Sequence, residues 1–347
     1  MNFITDKFIY DDSKEISGLT PSLIALYIHN YFQNNNENVV LLTSNLYEAN
    51  NYYKLLEEYN EDTLFFPMDD FITSMAVAIS PDFKLKRLDT LNRISEENKK
   101  HIIVTSLMGY LKYLPNITEK QSLTVTPLPQ NISREIILKT LDDFGYHRDS
   151  LVTSTGEYAV RGFVIDVFPI GYDHPFRIEF FDEEIEEIKE FDESTQLTTK
   201  KVKEFNLKRV NETINTSSSS LMDYVNNETL FVIDNNQLEI AYKMLGEEIT
   251  AYNEKKEINT KHMYELNEIK TGKTYKINSL NLYKTKNQIV YNSKTITNFN
   301  NNFDNLKRYV NDSLMNKTVL FVLSSDKQIE KIKRMKELRH KLLWIKI

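Results

Sequence analysis

The sequence predicts an α/β protein: a parallel-sheet domain, a small α+β unit with antiparallel strands, and a small C-terminal α/β unit. Three observations carry this. Short, continuously apolar runs alternate with amphipathic helix patterns over residues 1–117 and return near 230 and 320. Such runs mark strands covered on both faces of a parallel sheet. Between them the apolar period falls to two and the turns carry Gly and Pro, as in antiparallel strands.

In chain order, Ser22 to Phe32 places Leu23, Leu26, Tyr27 and Tyr31 on one helix face. Asn38 to Thr43 (NVVLLT) reads as a buried strand, Leu46 to Tyr59 as a helix, and Thr63 to Phe66 as a strand ended by Pro67. Leu85 to Ile94 is helical, His101 to Thr105 is a strand, and Met108 to Tyr113 closes the first unit. Residues 117–130 carry Pro127 and Pro129 and read as a linker. Ser133 to Phe144 is a helix with Ser133 as N-cap and Gly145 as its stop. Strand patterns follow at Glu157–Val160, Phe163–Phe168, Phe176–Phe181 and Ile185–Phe191. The serine-rich stretch Val210 to Ser220 reads as a second boundary. Leu230 to Asp234 is a buried strand with a helix running to about Glu248, and 250–285 is weakly patterned. Asn300 to Leu314 and Ser325 to Leu338 read as helices around the strand Thr318–Leu323. The expected units are therefore 1–117, 118–209, 210–288 and 289–347.

Composition narrows the chemistry. Cysteine is absent from the 347 residues, which removes disulfides, thiolate nucleophiles and Cys-ligated zinc. No run of about 18 apolar residues suggests a membrane span, no signal peptide is evident, and the cytoplasm is the expected compartment. The formal net charge is −7. The stretch Asp182 to Glu193 (DEEIEEIKEFDE) holds eight carboxylates and one lysine, so the remainder is about neutral. A dedicated DNA-binding domain would show a basic face, and none stands out.

Candidate motifs divide into empty and informative ones. Gly18-Leu-Thr-Pro-Ser precedes the first helix where a phosphate loop would sit. Gly18 and Thr20 fit such a loop, and Ser22 ends it. Pro21 removes a backbone donor, and Leu23 and Ile24 stand near the places of a glycine and the lysine. An ordinary strand-to-helix turn is expected. Gly272-Lys273-Thr274 lacks an upstream glycine, and Asp69-Asp70 reads as a turn rather than a metal pair. The histidines at 29, 101, 147, 174, 262 and 340 are scattered and are expected to be structural or superficial. No catalytic residue, metal or cofactor is expected. Arg161, Arg177 and Phe181 are the informative set. On a strand, Arg177, Glu179 and Phe181 share one face, and exposed arginine beside exposed aromatic is a hot-spot composition. The competing reading is that both arginines merely neutralise the acidic run.

The linked segments Gly145-Tyr-His-Arg-Asp-Ser-Leu-Val, Gly156-Glu-Tyr-Ala-Val-Arg-Gly-Phe-Val-Ile-Asp-Val-Phe-Pro, His174-Pro-Phe-Arg-Ile-Glu-Phe-Phe-Asp-Glu-Glu-Ile and Phe191-Asp-Glu-Ser-Thr-Gln resemble UvrB-like domain 2 of the bacterial transcription-repair coupling factors (Mfd). Gly18-Leu-Thr-Pro-Ser, Phe66-Pro-Met-Asp-Asp with Arg87-Leu-Asp-Thr-Leu, and Val104-Thr-Ser-Leu-Met-Gly-Tyr-Leu extend the likeness into the first unit. Asp223 to Asp234 resembles the return strand of domain 1, and Phe303 to Leu338 is faintly similar to the small third domain. The fold implied is a RecA-like, UvrB-domain-1-like parallel sheet without a working phosphate loop, carrying an inserted domain 2 and a small domain 3. UvrB itself would place an aromatic-rich hairpin between Phe71 and Arg87, where the one aromatic between them is Phe83.

The resemblance implies a non-catalytic module that recruits UvrA through Arg161, Arg177 and Phe181. It also implies that the RNA polymerase-binding domain, the ATP-driven DNA translocase motor and the mask over the UvrA surface lie outside this stretch. A fragment of a nucleotide-binding, damage-binding helicase is the rival reading, and a DNA-binding module a weaker third.

Overall fold

The computed structural model describes residues 2–70, 81–96, 99–116, 122–127, 132–212, 218–225, 229–279, 287–296, 299, 302–317, 319–323, 330 and 342–346. In chain order the strands are β1 Glu15–Ser17, β2 Val39–Thr43, β3 Thr63–Phe66, β4 Ile102–Ser106, β5 Ser122–Val125 and β6 His147–Arg148. There follow β7 Glu157–Arg161, β8 Val164–Val167, β9 Phe176–Phe181, β10 Glu184–Phe191, β11 Thr198–Val202 and β12 Phe205–Lys208. The last are β13 Thr229–Ile233, β14 Lys273–Asn278, β15 Gln288–Val290, β16 Val319–Leu323 and β17 Leu342–Lys346.

Seven strands make one parallel sheet in the order β15-β1-β14-β13-β2-β4-β3. The expectation of a parallel α/β sheet is met, and the reason is visible in its centre. β2, β4 and β13 are buried along their whole length. Val39, Leu41, Phe231 and Ile233 pack on one side with the helices Pro21–Asn34 and Leu46–Glu57. Val40, Leu42, Leu230 and Val232 pack on the other with Leu107–Leu111, Leu221–Tyr224 and Asn235–Lys256. Period-two alternation between two apolar cores removes any polar face, hence the continuous apolar runs.

The chain leaves this sheet after β4 and rejoins it at β13. Between them lies a six-stranded sheet, β11-β10-β9-β8-β7-β6, antiparallel except where β6 meets β7. The helix Arg134–Phe144 lays Ile137, Leu141 and Phe144 on its inner face, against Ile165, Val167, Phe176 and Ile178. Ser133 Oγ accepts the Ile136 N–H at 3.3 Å, and Gly145 ends the helix at φ +82°. That left-handed value is where glycine carries no steric penalty.

Several expectations need correction. The segment read as a linker at 117–130 contains β5, which pairs with β12. The helix expected over Leu85–Ile94 runs from Pro81 to Glu96. The polar stretch 250–285 continues the preceding helix to Lys256 and supplies β14, a parallel-sheet strand. Lys273 and Thr274 open that strand, so the GKT triplet is no phosphate loop. Of the stretch between Phe71 and Arg87, where a UvrB-type hairpin would fall, all up to residue 80 lies outside the described residues, as does nearly all of the helix expected at Ser325–Leu338.

The helix Pro81–Glu96 joins the two sheets. Its Leu88 belongs to the core of the antiparallel sheet and its Leu91 to a core of the parallel one. Arg87 lies between them with a side chain 1% exposed. Its Nε and Nη2 donate to the two Glu212 carboxylate oxygens at 2.7 and 2.8 Å, and Nη1 donates to the Pro67 carbonyl at 2.8 Å. Lys112 Nζ stands 3.5 Å from the same carboxylate. Burial raises the Glu212 pKa, but the Arg87 hydrogen bonds and the charges of Lys112 and Arg87 outweigh it and hold it below the ordinary carboxylate value.

Glu212→Gln leaves two buried cations facing a neutral amide, and is expected to cost about 3–5 kcal/mol in urea unfolding. Because the folded pKa of Glu212 is depressed, its contribution is fully present above the ordinary carboxylate range and drains as pH falls through the folded value. The gap between wild type and Glu212→Gln should therefore close on acidification, measurable from unfolding midpoints across pH 7 to 3, about the range in which carboxylates titrate.

Candidate functional site

The outer face of the antiparallel sheet carries the residues singled out by sequence. Along β9 burial alternates: Phe176, Ile178 and Phe180 point to the core, while Arg177, Glu179 and Phe181 point away. Phe181 is 76% exposed. It closes β9 beside the β9–β10 turn, where Asp182 adopts a left-handed φ of +56°. The exposure of Phe163 is 63%, and the reading of Phe163 as the first residue of a strand is corrected: it lies in the two-residue turn between β7 and β8. Both hairpin tips fall at the same end of the sheet, since Phe180 N–H donates to the Phe163 carbonyl at 2.9 Å. Phe163 was not a candidate by sequence; an aromatic after the glycine of a tight turn, where a polar residue is usual, was the available signal.

Arg177 is not the freely exposed arginine expected. Its side chain is 19% exposed, and Nε and Nη2 donate to the two oxygens of Asp166 at 2.7 and 2.9 Å. Asp166 faces Arg177 directly across the β8–β9 ladder. The guanidinium also lies 4.8 Å over the Phe191 ring. The Asp166 hydrogen bonds raise the Arg177 pKa further above its already high value. Arg161 is 46% exposed; its Nη2 donates to the Ser150 carbonyl at 2.6 Å and its Nη1 stands 4.0 Å from Asp166. Two arginines thus converge on one buried carboxylate. A lone aspartate inside the apolar run Phe163-Val-Ile-Asp-Val-Phe was the sequence signal for this, because a buried charge demands a partner.

Among the described residues neither arginine forms an ion pair with the acidic run, their carboxylate being Asp166. The ion pairs that the acidic run makes among the described residues are with lysines and His174. Lys189 bridges Glu179 and Glu187 at 2.7 and 2.6 Å, Lys200 meets Glu190 at 3.0 Å, and Lys201 pairs with Glu187. His174 Nδ1 lies 3.1 Å from Glu193, whose hydrogen bond raises the imidazole pKa. Asp182, Glu183 and Glu184 are exposed at the hairpin tip beside Phe181.

The phosphate-loop position is filled by the chain itself. Gly18 sits at φ +76°, and a Cβ there would collide with the Tyr291 carbonyl oxygen. Gly18 N–H donates to the Asn278 carbonyl at 3.2 Å, and the Gly18 carbonyl accepts from Ser293 N–H and Oγ at 3.1 and 2.7 Å. Thr20 N–H donates to Ser293 Oγ at 2.8 Å. Pro21 opens the helix and has no N–H, and Ser22 is exposed in its first turn. Asp70 accepts the Leu46 N–H at 2.8 Å and so caps a helix, with burial raising its pKa. No three His, Cys, Asp or Glu side chains cluster as metal ligands among the described residues, and no helix among them is long and apolar enough to cross a membrane.

Residues 127–212 match the family model described as the UvrB interaction domain. A transcription-repair-coupling factor of Staphylococcus aureus strain bovine RF122 / ET3-1 is 31% identical over 195 residues, 55% of this chain and 16% of the relative. That of strain USA300 is 29% identical over 231 residues, 66% and 19% of the two chains. That of Bacillus subtilis strain 168 is 28% identical over 202 residues, 57% and 17%. The chain is thus a homologue of these factors and spans 16 to 19% of the length of the curated relatives it matches.

Exposure and pairing separate the two outer residues energetically. Phe181→Ala removes an exposed ring and should change stability by no more than about 0.5 kcal/mol. Arg177→Ala strands the Asp166 carboxylate and should cost about 1–3 kcal/mol in chemical denaturation.

Proposed function

We propose that this chain works in transcription-coupled nucleotide excision repair as a docking module for UvrA, without chemistry of its own. The supporting observation is the coincidence of two things. The stretch similar to the UvrB interaction domain contains the antiparallel sheet, and the outer face of that sheet exposes Phe181 and carries an ordered arginine pair. An exposed aromatic and oriented guanidinium groups on one face are the residue types enriched among the hot spots of protein interfaces. In this reading Phe181 is the apolar anchor. Arg161 and the guanidinium edge of Arg177 not used by Asp166 meet acids of UvrA.

The same reading makes the parallel sheet a scaffold of the UvrB-domain-1 kind whose phosphate loop no longer works. Thr20 N–H and the Gly18 carbonyl, which border the helix start, are occupied by Ser293. A nucleotide phosphate would have to displace that segment with no lysine to receive it. The rival helicase reading therefore lacks a supporting contact. RNA polymerase and DNA would be engaged by regions of the longer relatives that this chain does not match.

Phe181→Ala should weaken binding to UvrA by about 2 kcal/mol or more, roughly 30-fold, in a calorimetric or surface titration. Wild-type affinity in that variant overturns the assignment of the face. Titration with ATP–Mg²⁺ should give no micromolar binding; saturable micromolar heats would favour the rival.

A further inference from the structure

The structure assigns Asp166 a part in docking: we propose that it is the positioning residue that sets both arginines of the outer face in one fixed arrangement. The inference rests on the docking reading above and adds to it how the face is organised.

Asp166 occupies the centre of β8. Its strand neighbours Ile165 and Val167 point into the core, so Asp166 points to the outer face, between Ala159 on β7 and Arg177 on β9. It is 1% exposed. Beside it lies a small apolar cluster of Val152, Ala159, Phe168 and Phe191. This cluster excludes water from the carboxylate and gives the Arg177 guanidinium a ring to lie on. Both oxygens of the carboxylate receive Arg177. Arg161, anchored from the other side by the Ser150 carbonyl, stands within 4.0 Å of the same group.

One buried negative charge therefore holds two positive ones, so this trio keeps one positive charge in excess with little side-chain freedom. Asp166 spends two of the five guanidinium N–H groups of Arg177. The other three make no bond to the described residues, and their directions are set by the bidentate pair. Ordering long side chains is a principal cost of association, and arginines ordered beforehand avoid it. Asp166 itself is too buried to touch a partner and acts through Arg177 and Arg161.

The test uses the full chain and UvrA. Asp166→Asn keeps the shape but turns an amide N–H₂ toward the guanidinium, so it should lose about tenfold or more in UvrA affinity, the worth of two side chains released to disorder. In an Arg177→Gln background the same change should cost only about threefold, because Arg161 alone is left for Asp166 to position. In ¹⁵N spectra of the free chain, the Arg177 Nε–H should be protected from exchange in wild type and lose that protection in Asp166→Asn. Val167→Ala, on the same strand but facing the core, lowers stability without touching the arginines and should leave affinity within about twofold of wild type. Wild-type affinity in Asp166→Asn, an undiminished loss in the Arg177→Gln background, or an equal loss in Val167→Ala overturns the inference while the docking reading stands. Failure of the wild-type chain itself to bind UvrA overturns the docking reading.

Discussion

The guanidinium of Arg87 lies where three separate parts of the chain converge. It binds the Pro67 carbonyl after β3, it sits on the helix that touches both sheets, and it holds Glu212 at the exit of the antiparallel sheet. Desolvating such a group is unfavourable by several kcal/mol, so it stays buried only because every partner is in place at once. Apolar contacts alone would let the two sheets slide over the helix, since Leu88 and Leu91 tolerate small shifts. A bidentate pair does not. It fixes the register between the parallel sheet and the antiparallel one, with Lys112 adding a second cation to the same carboxylate. The fold and the outer face are linked through this point.

The outer face repeats the device at smaller scale. Asp166 is to Arg177 what Glu212 is to Arg87: a carboxylate nearly sealed from water, receiving a guanidinium through both oxygens. The difference lies in what covers the arginine. Arg87 is closed over by protein, whereas Arg177 keeps an edge at the surface and a ring beneath it. In the proposed docking role, that surface edge is what an internal salt bridge would present to a partner.

Much of this was legible in the sequence, and the parts that were not share causes. β3 and β9 appear with their true bounds, and β2, β4 and β13 within a residue or two, because strands buried on one or both faces leave apolar runs or strict alternation. β14 (Lys273-Thr-Tyr-Lys-Ile-Asn) escaped because only Tyr275 and Ile277 of it reach a core. A parallel strand with one polar face does not look like its neighbours. β11 (Thr198-Thr-Lys-Lys-Val) is an edge strand whose lysines answer the acids of β10, so its pattern is electrostatic rather than apolar. β5 is four residues in a proline-marked stretch, and its pairing with β12 is a long-range fact no window contains. At the site, the shared face of Arg177 and Phe181 followed from the period of two. The burial of Arg177 did not, because its partner is set by cross-strand register and not by spacing along the chain.

The chemically suggestive groups of this molecule are mostly spent on the molecule itself. Asp70 caps a helix. Gly18 and Thr20 are closed by Ser293. Asp234 takes the Ser279 N–H and hydroxyl at the start of another helix, and Glu212 and Asp166 hold arginines. Each of these groups has its partner within the fold, which accounts for its place in the sequence without a ligand. The groups left facing outward are of another kind: the Phe181 ring, the Phe163 ring at the neighbouring turn, a half-exposed Arg161, and the carboxylates of the hairpin tip. Rings and oriented charges on a sheet offer contact area and direction, which is what the proposed docking role would use.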